Sequence, residues 1–204
     1  MKQPKSFSTT LREASQFYAA RGSVYDTLRR LARRLDSEKI PYALIGGMAL
    51  AAHGFVRMTQ DVDVLLTAEG LAAFRDRCVG RGYAPAFAGA QKSFRDTETN
   101  IRIEAITAGE YPGDGKPKPV AFPDPATSSV EREGTHVITP EKLIELKLAS
   151  GMAAPHRLRD LADVQDVIAA LDLPEDLAAR LDGSVREKYR ELWAAAQNRQ
   201  REGE

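Results

Sequence analysis

The chain has a single cysteine, Cys78, among 204 residues. One thiol excludes an intrachain disulfide and a thiolate metal cluster. Between Arg77 and Val79, in a helical pattern, it suits a partly buried free thiol. No stretch approaches the ~18 consecutive apolar residues of a membrane-spanning helix. The opening MKQPKSFSTT has no apolar signal core, so the cytoplasm is the expected location. Net charge is also lacking, with 29 Lys and Arg against 29 Asp and Glu. That balance removes any global argument for nucleic acid or an anionic membrane. What remains is 43% hydrophobic and 28% charged, an ordinary globular composition. The length allows one domain, or one α/β domain with a helical appendage.

The informative stretch runs from Leu44 to Leu66, LIGGMALAAHGFVRMTQDVDVLL. It reads as an apolar run, a Gly-Gly pair, a short helix former, a loop, and Asp-Val-Asp within a second apolar run. Strand alternation over Gln60–Leu66 puts Val62, Val64 and Leu66 on one face and Asp61 and Asp63 on the other. Two carboxylates so placed lie about 7 Å apart at the backbone. Their oxygens can converge on cations ~3.5–4 Å apart, the spacing of a two-metal site. The Gly46-Gly47 turn opens a short helix whose N–H groups and dipole favour phosphate. Asp is disfavoured in strands, so two of them flanked by Val and Leu argue against a merely solvated edge.

Gly46-Gly47, His53-Gly54 and then Arg57-x-Thr59-x-Asp61-x-Asp63 resemble the signature of the nucleotidyltransferase superfamily. The local form is most similar to a minimal bacterial branch that includes AbiEii-type toxin nucleotidyltransferases. The resemblance extends loosely to about residue 170. It implies an α+β fold, a nucleotidyltransferase-like core with a small mixed sheet flanked by helices and a helical C-terminal portion. It also implies Mg²⁺, with Mn²⁺ as a substitute, held by Asp61 and Asp63, and a nucleoside triphosphate as donor of an NMP group. The acceptor would be a hydroxyl of RNA such as tRNA, of a protein, or of a small molecule. A cognate antitoxin is an expected partner if the chain is the toxin of a toxin–antitoxin or phage-defence pair.

The third carboxylate of the family, usually Asp on a neighbouring strand, corresponds to Glu104 in Ile101-Arg102-Ile103-Glu104-Ala105-Ile106. Alternation sets Glu104 opposite the apolar face. Glutamate is one methylene longer, and a ~1 Å displacement can cost on the order of 100-fold in rate. Glu104 therefore reads as a functional variant or as a surface acid paired with Arg102 or Lys92. If the longer side chain supports only poor turnover, the chain is instead a catalytically weak relative that binds nucleotide or a partner protein as a regulatory or antitoxin module. Arg57 is expected to reach phosphate or brace its loop, and Thr59 to hydrogen-bond the glycine turn. His53, with no second histidine nearby, reads as a packing or hydrogen-bonding residue. The resemblance further implies that Lys147 touches the nucleotide phosphates and that Asp160, in Arg159-Asp160, orients a basic group or the helix pair. The bland reading of both is an exposed lysine with helix-capping acids.

Three segments are expected: an N-terminal helical segment over 1–38, the core over 39–138 and helices over 139–204. Residues 1–40 hold nine Lys and Arg against four acids. A helical stripe runs from Thr10 to about Leu35, with a break at Gly22-Ser23. Its basic residues Arg29, Arg30, Arg33 and Arg34 lie off that stripe, as a solvated face or as a contact for RNA or an acidic partner. Strands are predicted over Ile40–Ile45, Gln91–Asp96, Asn100–Thr107 and His136–Ile138, and helices over Gly47–His53 and Ala68–Arg81. The Pro- and Gly-rich run Ala108–Pro125 cannot be a regular element, and reads as a lid or an edge cover. Thr139-Pro140-Glu141 starts a helix to about Gly151. Leu158–Leu171 is another, Pro174 opens a short one, and Val185–Asn198 is the last. Tyr189, Leu192, Trp193 and Ala196 form its core side.

Overall fold

The computed structural model describes residues 24–202, with side chains to residue 198. The predicted helix over Thr10–Leu35 therefore lies partly outside the described residues. The fold is α+β, and the chain divides into two compact units. Among the described residues, one comprises 24–108 and 123–138, the other 109–122 and 139–202. The described part of the N-terminal segment, residues 24–38, thus belongs to the sheet unit, and part of the Pro/Gly run belongs to the helical unit.

The first unit is built on a seven-stranded mixed sheet of order β3-β4-β5-β2-β1-β7-β6. Its strands are β1 (Tyr42–Leu44), β2 (Asp61–Leu66), β3 (Tyr83–Pro85), β4 (Ser93–Asp96), β5 (Arg102–Thr107), β6 (Ser129–Arg132) and β7 (Thr135–Ile138). β2 pairs antiparallel with β1 and parallel with β5, so it lies central. Helices α1 (Val24–Ser37), α2 (Gly46–Ala52) and α3 (Ala68–Arg77) complete the unit. α1 buries Val24, Leu28, Leu31, Ala32 and Leu35 at helical spacing. Leu31 and Leu35 meet Val64, Leu66, Phe94, Ile103 and Ala105 of the sheet, with Phe74 from α3. Phe74 and Phe94 pack edge to face at 5.0 Å between ring centres. Each fully buried side chain of that size contributes roughly 1.5–3 kcal/mol. This apolar packing takes one face of β2 and β5 and leaves the other to polar groups.

The basic residues of α1 are largely engaged within the unit. Arg29 donates to the Glu133 carbonyl, and Arg30 pairs with Asp96 (2.9 Å) and Glu98. Arg34 donates to the Arg77 carbonyl and faces Glu38. Arg33 is exposed. Three of the four thus pin α1 to its own surroundings, which favours the bland reading of that face.

α3 ends at Arg77, four residues before the predicted limit. Cys78 caps it, Val79 bridges to Tyr83, and Gly80 and Gly82 take φ of +80° and +102°. Those left-handed glycines cannot continue a helix and turn the chain into β3.

In the second unit, α4 (Pro140–Ala153), α5 (Leu158–Leu171) and α6 (Arg186–Glu202) are joined by short 3₁₀ turns at Pro155–Arg157 and Glu175–Arg180. Pro140 occupies the first turn of α4 as predicted, but Thr139 makes no side-chain cap hydrogen bond. α6 buries Tyr189 and Ala196, and the Tyr189 hydroxyl and Trp193 Nε1 donate to the carbonyls of Pro174 and Leu173. The ends of the 109–122 segment are closed by Gly109 N–H to Phe122 O and Phe122 N–H to Glu110 O, both 2.8 Å. At Gly113, φ +79°, a Cβ would lie 2.7 Å from the Ser150 carbonyl of α4. The Pro/Gly run is packed against its own unit's helix there.

Candidate functional site

After β1 the Ile45 N–H donates to the Asp63 carbonyl at 3.0 Å, which brings the glycine turn beside β2. Gly46 then adopts φ +66°. A Cβ at Gly46 would lie 2.0 Å from Asp63 Oδ2 and 2.8 Å from the Asp63 carboxyl carbon. The Asp63 carboxylate occupies the volume that any other side chain at position 46 would need. At Gly47 a Cβ would lie 2.9 Å from Thr59 Cβ. The two glycines are thus required by two different residues of the segment leading through β2. α2 begins here, with Ile45 as an N-cap that offers no side-chain acceptor.

Residues 54–60 alternate in exposure. Val56 and Met58 are exposed, Arg57 is half-buried and Thr59 is buried. The Thr59 hydroxyl, predicted to bond the glycine turn, instead donates to Asp61 Oδ1 at 3.0 Å and also faces the Asp61 carbonyl at 3.3 Å. Its Cβ, Oγ1 and Cγ2 crowd the space beside Gly47. His53 Nε2 lies 2.7 Å from the Ile138 carbonyl and ties the end of α2 to β7, a hydrogen-bonding role as read from the sequence.

Asp61 and Asp63 share the half-exposed face of β2, while Val62 and Val64 are buried behind them. Register places Arg102 beside Asp61 and Glu104 beside Asp63 across the β2–β5 pair. Strands are ~4.8 Å apart, so the Glu104 backbone is a direct neighbour of Asp63. The Glu104 side chain has other partners. Oε1 accepts from Ser93 Oγ at 2.8 Å and pairs with Arg102 Nε, while Arg102 Nε also lies 3.0 Å from Ser93 Oγ. Ser93 stands on β4, the neighbour of β5 away from β2. Accordingly, among the described residues no group of three or more His, Cys, Asp or Glu side chains is placed to hold a metal ion. The two aspartates still supply what Mg²⁺ requires when phosphates and water complete its shell, namely hard oxygens and one or two carboxylates. The acidic pair fits the ion; Glu104, as it is held, does not join them. Ser93 was not legible as a site residue, because its place depends on the β4–β5 register.

Lys147 and Asp160 belong to the second unit. Lys147 is 6% exposed, and its Nζ donates to Asp160 Oδ1 at 2.9 Å and Asp163 Oδ2 at 2.7 Å. Ser150 Oγ donates to Asp160 Oδ2 at 2.7 Å. This cluster joins α4 to α5, so Lys147 is not the exposed lysine of the bland reading. Burial pushes the Asp160 carboxyl up, but Lys147, the Ser150 hydrogen bond and Arg157 together hold it below its usual range. A carboxyl with a lowered folded value adds stability above its unfolded value, near 3.9, and loses it as pH falls through the folded one. Denaturant unfolding is therefore expected to show stability falling below about pH 4. Lys147→Met leaves the buried Asp163 and the half-buried Asp160 without their shared cation and is expected to cost about 3 kcal/mol at neutral pH, the low end for a broken buried pair. It should also flatten that acid-side loss.

No protein-family model matches the chain, and no curated protein matches its sequence. Among solved structures, ANT(2")-Ia in complex with adenylyl-2"-tobramycin is 16% identical, with a TM-score of 0.49 over 85% of this chain and 97% of that one. An antigenic nucleotidyltransferase-like protein from Paracoccidioides brasiliensis is 17% identical, with a TM-score of 0.45 over 71% and 75%. JHP933 from Helicobacter pylori is 18% identical, with a TM-score of 0.43 over 84% and 89%. Likeness at this level concerns the path of the chain. The chemistry rests on the side chains themselves.

Proposed function

We propose that this chain is a Mg²⁺-dependent nucleotidyltransferase that moves an NMP group from a nucleoside triphosphate to a hydroxyl. The observation that carries the reading is the acidic pair on β2, with the Asp63 carboxylate set against the Gly46 backbone. In the reaction the acceptor hydroxyl loses its proton to solvent as its oxygen bonds to the α-phosphorus, the bond from that phosphorus to the bridging oxygen breaks, and pyrophosphate leaves. A divalent ion, when bound, would neutralise the triphosphate and the charge that develops in transfer. Asp61 and Asp63 would hold it, Thr59 would fix the Asp61 carboxylate, and Gly46-Gly47 would let the phosphates approach the backbone. Arg57 belongs to the same reading as a phosphate contact or loop brace. RNA such as tRNA, or a protein, as acceptor, and a place in a toxin–antitoxin pair, are finer parts of the proposal.

A second reading, a nucleotide- or partner-binding relative with weak turnover, is favoured by the contacts of Glu104 with Arg102 and Ser93. The two are separated by incubating the protein with α-labelled nucleoside triphosphates, Mg²⁺, total tRNA and bulk protein. Label in RNA or protein, with equimolar pyrophosphate, is the expected result. Mg²⁺-dependent triphosphate binding without transfer would support the second reading, and neither binding nor transfer would contradict both.

A further inference from the structure

The polar face of the sheet carries an ordered network that the proposed transfer leaves unused. Arg102, Glu104 and Ser93 converge, with Glu104 Oε1 accepting from Ser93 Oγ at 2.8 Å while also pairing with Arg102 Nε. Register sets Arg102 beside Asp61 and Glu104 beside Asp63. Arg95 is the cross-strand neighbour of Arg102 on β4, but its Nη1 donates to the Asn100 carbonyl at 2.8 Å. Two like charges directly opposite repel, so this contact, which holds Arg95 toward the hairpin turn, leaves Glu104 to Arg102.

We propose that Arg102 is a positioning residue that holds Glu104 apart from the acidic pair until a triphosphate arrives, and then passes to phosphate oxygens. The proposal rests on the nucleotidyl-transfer reading above. Three carboxylates gathered without cations would repel one another, and the Arg102 contact relieves that by neutralising the third. The Arg102 and Glu104 side chains are 49% and 24% exposed, and an ion pair in that setting holds weakly. A triphosphate offers the guanidinium a charge-assisted, forked contact that a single Nε contact with Glu104 does not. Release of Glu104 would then coincide with delivery of the ion and substrate. The chain would complete its acidic site only when loaded.

The test is Mn²⁺ binding measured by electron paramagnetic resonance, with and without inorganic tripolyphosphate, a probe that avoids any base preference. Without tripolyphosphate, Arg102→Gln is expected to bind Mn²⁺ about fivefold more tightly than wild type, the effect of freeing one exposed pair. Glu104→Gln should change wild-type affinity by less than about twofold yet remove the gain in the Arg102→Gln background, the non-additivity of coupled partners. Tripolyphosphate should tighten Mn²⁺ binding more in wild type than in Arg102→Gln. Equal Mn²⁺ affinity in wild type and Arg102→Gln overturns the proposal, as does a gain that survives Glu104→Gln. If Asp61→Asn with Asp63→Asn leaves wild-type Mn²⁺ binding unchanged, the ion sits elsewhere, and the transfer reading falls together with this one.

Discussion

Replacing Asp61 and Asp63 together by asparagine is expected to lower nucleotidyl transfer by at least about a thousandfold while the protein stays folded. The asparagines match the aspartates in size, and both positions are half-exposed on β2, so the apolar face of Val62, Val64 and Leu66 is untouched. What goes is the negative charge that would hold cations against a triphosphate. Metal stabilisation of a phosphoryl transition state is worth several kcal/mol, and about 4 kcal/mol is already a thousandfold in rate. Transfer of α-label and a thermal melt check the two halves of the expectation. Transfer within tenfold of wild type, from a variant that melts normally, would remove the acidic pair from the mechanism.

The second large effect is expected at Gly46→Ala. The methyl would enter at a point 2.0 Å from Asp63 Oδ2, on a backbone with φ of +66°. The left-handed conformation costs a non-glycine residue roughly 1–2 kcal/mol, and overpacking adds typically 1–3 kcal/mol. Together they amount to about 2–5 kcal/mol, or a fall in Tm on the order of 10 °C for a chain of this size. Gly89→Ala separates the two contributions, since Gly89 has φ +82° with nothing within 4 Å of the added methyl. It should lose only the backbone part. Gly46→Ala should additionally lose Mg²⁺-dependent triphosphate binding, because Asp63 must move to make room. A Gly46→Ala protein that melts like Gly89→Ala and binds triphosphate would show that Asp63 is not fixed by the turn.

The centre of the sheet was legible because its residues carry both period and chemistry. Val62, Val64 and Leu66 alternate with Asp61 and Asp63, and Ile103 and Ala105 alternate with Glu104, so β2 and β5 were predicted with their faces correctly assigned. The edges were not. β3 has three residues and ends in Pro85, and β6, Ser129–Arg132, is polar and lacks a buried face. Such strands are fixed by pairing with a neighbour, which no local pattern announces. The partners of Glu104 illustrate the same limit. Arg102 lies two residues away on its own strand and could be named in advance. Ser93 meets Glu104 only through the β4–β5 register. Likewise, alternation could not distinguish Thr59 bonding the turn from Thr59 bonding Asp61, because both lie within reach of one hydroxyl.

The most direct measurement is a crystal structure grown with Mn²⁺ and a non-hydrolysable nucleoside triphosphate analogue, read by anomalous scattering. A manganese peak is expected within coordination distance of carboxylate oxygens from both Asp61 and Asp63, next to the analogue's phosphates beside Gly46-Gly47. A bound analogue whose phosphates lie elsewhere, or no manganese between those two side chains, would contradict it.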